Sequence, residues 1–222
     1  MSGALIVGAG PGLSGSFAHA CVRAGHAVTL AARDTDKLAD LAAATGATLI
    51  RCDASDPAGV AALFAAAGSP AIVLYNPSAR VRGPFVDLDP EAVRAAITTT
   101  AFGAFLVAQQ AARRMLAAGG GTILLTGASA GVKGFAQSAA FAMGKFALRG
   151  LAQSMARELH PQGVHVVHVV VDGAIRAAGR LEASPDSQLD PDAIAQTMMA
   201  LVQQPRSCWT DEIAVRPWVE RF

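Results

Sequence analysis

Two kinds of apolar pattern alternate along this chain. Short, nearly unbroken apolar runs fall at Ala4–Val7, Ala27–Ala31, Thr48–Cys52, Ala71–Tyr75, Thr122–Leu125, Val164–Val171 and Glu212–Val215. Runs of this length suit strands covered on both faces. Longer Ala-rich stretches with helical spacing lie between them, near 13–24, 35–45, 57–67, 90–118, 139–160 and 191–203. Asp56-Pro57, Asp89-Pro90 and Asp190-Pro191 each predict an N-cap followed by proline at the first helical position. Gly25, Gly46 and Gly68 stand where helices should stop.

Strict alternation of strand and helix predicts a doubly wound, Rossmann-type α/β fold. The expected sheet is seven-stranded and mainly parallel, with helices on both faces. The 222 residues suffice for one domain spanning 1–222. The segment Ala177–Gln188, rich in Gly, Ser and Pro, is the expected flexible stretch.

Composition removes several classes of function. A net charge of +1 gives no basic excess for nucleic acid or a membrane surface. No apolar run approaches the roughly 20 residues of a membrane span. Cys21, Cys52 and Cys208 are far apart and form no CxxC pair, so a reducing cytoplasm is expected and a disulfide framework is not. The first residues run straight into a strand, without the positive start of a signal peptide. His165 and His168 lie three apart on a strand and point to opposite faces, so they make no chelating pair. They read as strand-end or interface histidines. His19 and His26 have no carboxylate pattern beside them, and no metal site is expected.

The first strand runs into a glycine cluster, Gly8-Ala-Gly10-Pro-Gly12-Leu13-Ser14-Gly15, that opens the first helix. Glycines let a backbone turn tightly and approach a diphosphate, and a helix N-terminus supplies N–H donors and a favourable dipole. The cluster therefore predicts a dinucleotide site at Gly8, Gly10, Gly12 and Leu13. The second strand ends in Arg33-Asp34. A cation there pairs with the 2′-phosphate of NADP, whereas NAD wants a carboxylate. Arg33 favours NADP(H) over NAD(H), and Asp34 keeps NAD(H) open. Asp53 closes the third strand at the expected adenine edge. Asn76 closes the fourth beside the expected ribose, where Tyr75 reads as a packing residue.

These residues resemble the short-chain dehydrogenase/reductase family over nearly the whole chain. Gly8-x-x-x-Gly12-Leu13-Ser14 is similar to the family's glycine motif, with Ser14 replacing its last glycine. Tyr75-Asn76-Pro77-Ser78 resembles its Asn-Asn-Ala-Gly turn, and Thr126 to Gly131 resembles the segment carrying its serine. Phe141 to Arg157 resembles its catalytic helix. The resemblance implies a Tyr acid, a Lys that lowers its pKa and binds the ribose, an orienting Ser and a relay Asn. Lys145 matches the Lys, but Phe141 stands at the Tyr position. Ala128 falls at the Ser position, with Ser129 one residue off as a substitute. Thr100 stands for the Asn. Asp172-Gly173 replaces the Pro-Gly after the sixth strand, and Ile175 follows where the carboxamide is held. Phe at the Tyr position and the tail Trp209 to Phe222 resemble an atypical subgroup of the family.

Phenylalanine has no proton to give. Losing a general acid typically costs about 10²–10⁴ in rate. The expectation is an NADP(H)-binding oxidoreductase that moves a hydride to or from a small organic substrate by a non-standard route. The catalytic candidates are Lys145, Ser129 and Phe141. The alternative left open is an inactive NADP(H)-binding sensor or partner subunit. Arg80, Arg82 and Lys133 follow strands four and five and are candidates to meet an anionic substrate group, or else solvated loop charges. The resemblance implies a homodimer or homotetramer through the Ala- and Gly-rich helices at 90–118 and 139–160. The two tryptophans of the tail pack either onto a neighbour or onto their own core.

Overall fold

The computed structural model describes residues 2–177 and 179–220. Seven strands form one sheet: β1 (Gly3–Val7), β2 (Ala27–Ala32), β3 (Thr48–Arg51), β4 (Ile72–Tyr75), β5 (Gly121–Thr126), β6 (Val164–Val171) and β7 (Glu212–Val215). Their order is β3-β2-β1-β4-β5-β6-β7, and every pairing is parallel. The chain winds outward from β1 in one direction and then from β4 in the other. That reversal opens a crevice at the carboxyl ends of β1 and β4, the usual ligand position in such sheets.

The helices are α1 (Leu13–Arg23), α2 (Ala39–Thr45), α3 (Pro57–Ala67), α4 (Pro90–Ile97), α5 (Gly103–Ala118), α6 (Ala139–Leu159) and α7 (Pro191–Val202). Asp56, Asp89 and Asp190 cap α3, α4 and α7 with their carboxylates, each ahead of a proline. The sheet buries apolar side chains on both faces. Phe17, Leu30, Leu74, Val167 and Met198 form the core under α1 and α7. Leu5, Val73, Val107, Met115, Ile123 and Leu148 form the core under α3, α5 and α6. This two-sided burial is why the strands carry so few polar residues.

The expected single helix over 90–118 is interrupted. A π-helical turn, Thr98–Phe102, separates α4 from α5. Such turns place an extra residue in the helix and free backbone groups, frequently at functional sites. Here the freed groups are used. The Tyr75 hydroxyl donates to the Thr99 carbonyl, and Thr100 Oγ1 accepts from the Ala79 N–H at 3.2 Å. Gly144 of α6 permits the close approach, since a Cβ there would stand 2.9 Å from Thr100 Cβ. The 29-residue run Pro90–Ala118 is also apolar and long enough to cross a bilayer by length and composition, contrary to the sequence expectation. In the fold it buries Ala104, Val107, Ala108, Ala111 and Met115 against the sheet.

The histidines of β6 are core residues and not strand-end ones. His165 stacks on Trp209 with ring centroids 4.6 Å apart, and its Nε2 meets the Thr210 carbonyl at 2.9 Å. His168, on the other face, places Nδ1 2.9 Å from Glu212, which also holds Arg149. The tail therefore divides. Trp209 packs within its own subunit, while Trp218 is 80% exposed, and Arg221 and Phe222 lie outside the described residues. The segment expected to be flexible is tied back by Arg176, which reaches Glu182, Asp186 and Asp190 at 3.1, 3.4 and 3.3 Å. Ala178 of that segment lies outside the described residues.

Candidate active site

Two neighbouring cavities open at the carboxyl ends of the central strands, and Ser78 lines both. The smaller, about 160 Å³, is walled by the turns after β1, β2, β3 and β4. The larger, about 740 Å³, is walled by the turns after β4, β5 and β6 together with α6.

The glycine turn is built from its own strict requirements. Gly8 sits at φ +75°, and a Cβ there would fall 2.6 Å from the Pro77 ring. Its N–H and that of Ala9 both donate to the Ala31 carbonyl. Ser14, buried, donates to the Gly8 carbonyl at 3.2 Å and accepts from Asn76 Nδ2 at 2.9 Å. The serine that replaces the family's last glycine thus locks the β1 turn to the β4 turn. Asn76 holds this side chain, where backbone groups were expected. Gly12 caps α1 with no side-chain hydrogen bond, and among the described residues the first turn carries no acid. A Cβ at Gly10 or Gly12 would meet nothing within 4 Å. Open space beside a helix N-terminus with free N–H donors fits a diphosphate. Leu13 gives only backbone to this cradle, because its side chain is buried in the core.

The smaller cavity gathers Arg33, Asp34, Lys37, Cys52 and Asp53. Asp34, the residue that kept NAD(H) open, lies 3.6 Å from Lys37 Nζ and accepts from the Asp36 N–H. Asp53 accepts from the Ser55 hydroxyl and N–H at 2.6 and 2.9 Å. Those two bonds, with Arg33 nearby, hold its carboxyl below the usual range. Burial first, then Asp53 and Asp56, push the Cys52 thiol up to about 11, so it stays a thiol at neutral pH. Sequence reasoning missed Lys37, although a cation one tight turn beyond Arg33 was visible.

The larger cavity brings together Asn76, Ala128, Ser129, Phe141, Lys145, Gly173 and Ile175. Phe141 and Lys145 lie one turn apart on α6 and face the same space. Lys145 is only 2% exposed, and its Nζ donates to the Thr126 carbonyl at 2.6 Å. Burial, with the Arg80 cation second, brings its ammonium down to about 7. The Phe141 ring has two cations near it, with Arg80 Cζ 4.6 Å and Lys145 Nζ 5.8 Å from its centroid. Asp172 does not line the cavity. Its carboxylate faces Arg216 at 3.6 Å, because Gly173, at φ +152°, turns the chain against Pro217. Lys133 lies over the Phe135 ring and is not part of the wall, whereas Arg80 and Arg82 are. Arg180 joins them from the segment after β6. No local signal marked it, since only the fold returns that segment to the β4 turn.

Tyr75, the chain's one tyrosine, is 1% exposed and lines neither cavity. Burial, then Asp53 and Cys52, raise its phenol well above the usual range. Tyr75→Phe is expected to leave turnover intact and to cost about 1–3 kcal/mol through the orphaned Thr99 carbonyl, read by urea unfolding. Loss of turnover in a folded variant would return Tyr75 to the chemistry.

A parallel sheet with a glycine cradle, a buried lysine and a paired cavity beside its switch point is an arrangement that suits a nicotinamide nucleotide. The family described as short chain dehydrogenase matches residues 2–188, and the chain belongs to that family. An uncharacterized oxidoreductase of Staphylococcus aureus (strain N315) is 27% identical over 224 residues, covering 96% of both chains. The crystal structure of a short-chain dehydrogenase from Rhodopseudomonas palustris superposes with a TM-score of 0.85 at 32% identity, covering 98% of this chain and 99% of that one. A metagenomic short-chain oxidoreductase in complex with NADP superposes with a TM-score of 0.83 at 30% identity, covering 98% of each chain.

Proposed function

We propose that this member of the family uses NADP(H) to reduce or oxidise a small organic substrate without an enzyme tyrosine acid. One observation carries the reading: Phe141 and Lys145 share one wall of the larger cavity, while Arg33 and Lys37 stand in the adjoining one. The metagenomic relative holds NADP, which supports the same cofactor here. When bound, the nicotinamide would supply a hydride to an electrophilic carbon, or accept one from a C–H carbon in the reverse direction; an iminium takes the hydride with no proton, while an activated double bond also needs one from water.

The chain's own residues divide the remaining work. The N–H groups opening α1 receive the diphosphate, with Gly10 and Gly12 leaving it room. Arg33 and Lys37 receive the 2′-phosphate, since Asp34 is already paired with Lys37. Asp53 stands at the adenine edge. Asn76 keeps the β4 turn in place through Ser14. Lys145 binds the nicotinamide ribose and supplies positive potential. Phe141 gives the reacting carbon an apolar wall, and Ser129 brings a hydroxyl-bearing residue of the β5 turn to that cavity. Gly173 and Ile175 close the nicotinamide side.

A panel of imines, enones and ketones with NADPH tests the reading. Turnover is expected on imines or enones and not on simple ketones. Activity should need the charged form of Lys145. Because its folded pKa is lowered to about 7, the group is protonated below that pH and loses its charge above it. kcat/KM, which reports the free enzyme, should therefore fall as pH rises through about 7. Lys145→Arg, which stays charged, should remove that limb. Cofactor binding with no turnover anywhere on the panel would favour a sensor or partner subunit.

The apolar face of the Pro90–Ala118 run and α6 supports a homodimer or homotetramer. Phe102, Phe105, Met143 and Phe146 are each 41–52% exposed there. Sedimentation velocity is expected to show one of these assemblies, and a monomer at micromolar concentration would contradict this part of the proposal.

A further inference from the structure

The wall of the larger cavity is charged with one sign. Arg80, Arg82, Arg180 and Lys145 line it, and among the described residues no aspartate or glutamate does. Like charges in one concavity raise its free energy until an anion enters. The acidic residues of the segment after β6 are engaged elsewhere. In the segment from Asp172 to Asp190, Asp172 faces Arg216, while Glu182, Asp186 and Asp190 surround Arg176. That clamp leaves Arg180 free to turn the other way, with its Nη1 on the Ile175 carbonyl at the cavity. Arg80 lies over the Phe141 ring, and among the described residues neither it nor Arg82 has a carboxylate partner. The cofactor's own phosphates do not account for these arginines. They have the start of α1 and the Arg33–Lys37 pair, none of which lines the larger cavity.

We infer that the substrate is a small organic acid, whose oxyanion is seated by Arg80, Arg82 and Arg180 while its reacting carbon lies against Phe141. This rests on the reading of the larger cavity as the substrate side of an oxidoreductase. Guanidinium forks match carboxylate and phosphate oxygens alike, so the shared chemistry is a terminal oxyanion. The remaining lining near them, Phe135, Ala136 and Ile175, is apolar and suits a short carbon skeleton. Mutual repulsion with Arg82 and Arg180, after burial, also weakens the hold of Arg80 on its proton, as expected of cations gathered without a counter-charge.

Calorimetric titration of the protein, free and with NADP⁺ present, against benzoate, phenyl phosphate and benzamide tests this. The two anions and the neutral amide share a ring and differ in charge. At least one anion should bind about tenfold or more tighter than benzamide, a gap of about one charge-assisted bond pair. The tighter anion names the group as carboxylate or phosphate. Arg82→Gln and Arg180→Gln, each melting like the wild type, should lose that preference about fivefold or more and leave benzamide unchanged. Equal binding of all three probes, or variants that bind the anions as the wild type does, would overturn the inference. The two readings separate in the same experiment. Failure of NADP⁺ to bind would sink the cofactor assignment, while the anion titration of the free protein would still decide this one.

Discussion

Phe141→Tyr is expected to raise NADPH-dependent ketone reduction by this protein well above that of the wild type. The ring at 141 already lines the larger cavity, one helical turn from Lys145. A phenol there would have the Lys145 ammonium and the Arg80 guanidinium as neighbours. Both cations favour the phenolate and so lower the pKa of the new acid. A positioned general acid typically contributes about 10²–10⁴ in rate, and a gain of that order in NADPH-dependent ketone reduction is predicted. Adding Lys145→Ala to the variant should remove the gain. Intact NADPH binding with no ketone turnover would show that Ala128 and Thr100, at the serine and asparagine positions, are the deeper losses.

Gly8 and Gly10 are expected to fail in different ways when replaced by alanine. Gly8→Ala places a Cβ against the rigid Pro77 ring in a left-handed backbone conformation. The conformation costs roughly 1–2 kcal/mol and the clash about 1–3 kcal/mol more. Relief of the clash must shift the turn whose carbonyl accepts from Ser14, and Ser14 holds Asn76. Stability and NADPH binding should fall together, binding by about a hundredfold. Gly10→Ala meets nothing in the protein. Unfolding in urea should be nearly unchanged, while NADPH binding weakens because the new methyl enters the space a diphosphate needs. Equal NADPH affinity in Gly10→Ala and the wild type would show that this turn cradles no cofactor.

The sheet was legible because its inner strands are apolar on both faces and three of the helices start with a signal of their own. Asp56-Pro57, Asp89-Pro90 and Asp190-Pro191 all cap helices as their chemistry requires. The π-helical turn was not legible, since its cause is tertiary: a tyrosine on β4 and a glycine on α6 meet it from outside. The place of Lys145 was legible from its spacing to Phe141. Its depressed ammonium was not, because burial and Arg80 come from the fold. Lys133 and Arg180 illustrate the same limit. Both are loop cations in sequence, and only the return of the segment after β6 decides which one lines the cavity. The helical run at 90–118 hid its apolar length because Gly, Thr and Gln residues break it into short apolar pieces, while its window average stays high.

On the proposed function, the paired cavities hold NADP(H), with Arg33 and Lys37 at its 2′-phosphate. Calorimetric titration with NADPH and, separately, with NADH tests it most directly. NADPH is expected to bind at least about tenfold tighter than NADH, and Arg33→Ala to erase most of the difference. Equal affinity for the two nucleotides, or binding of neither, would contradict it.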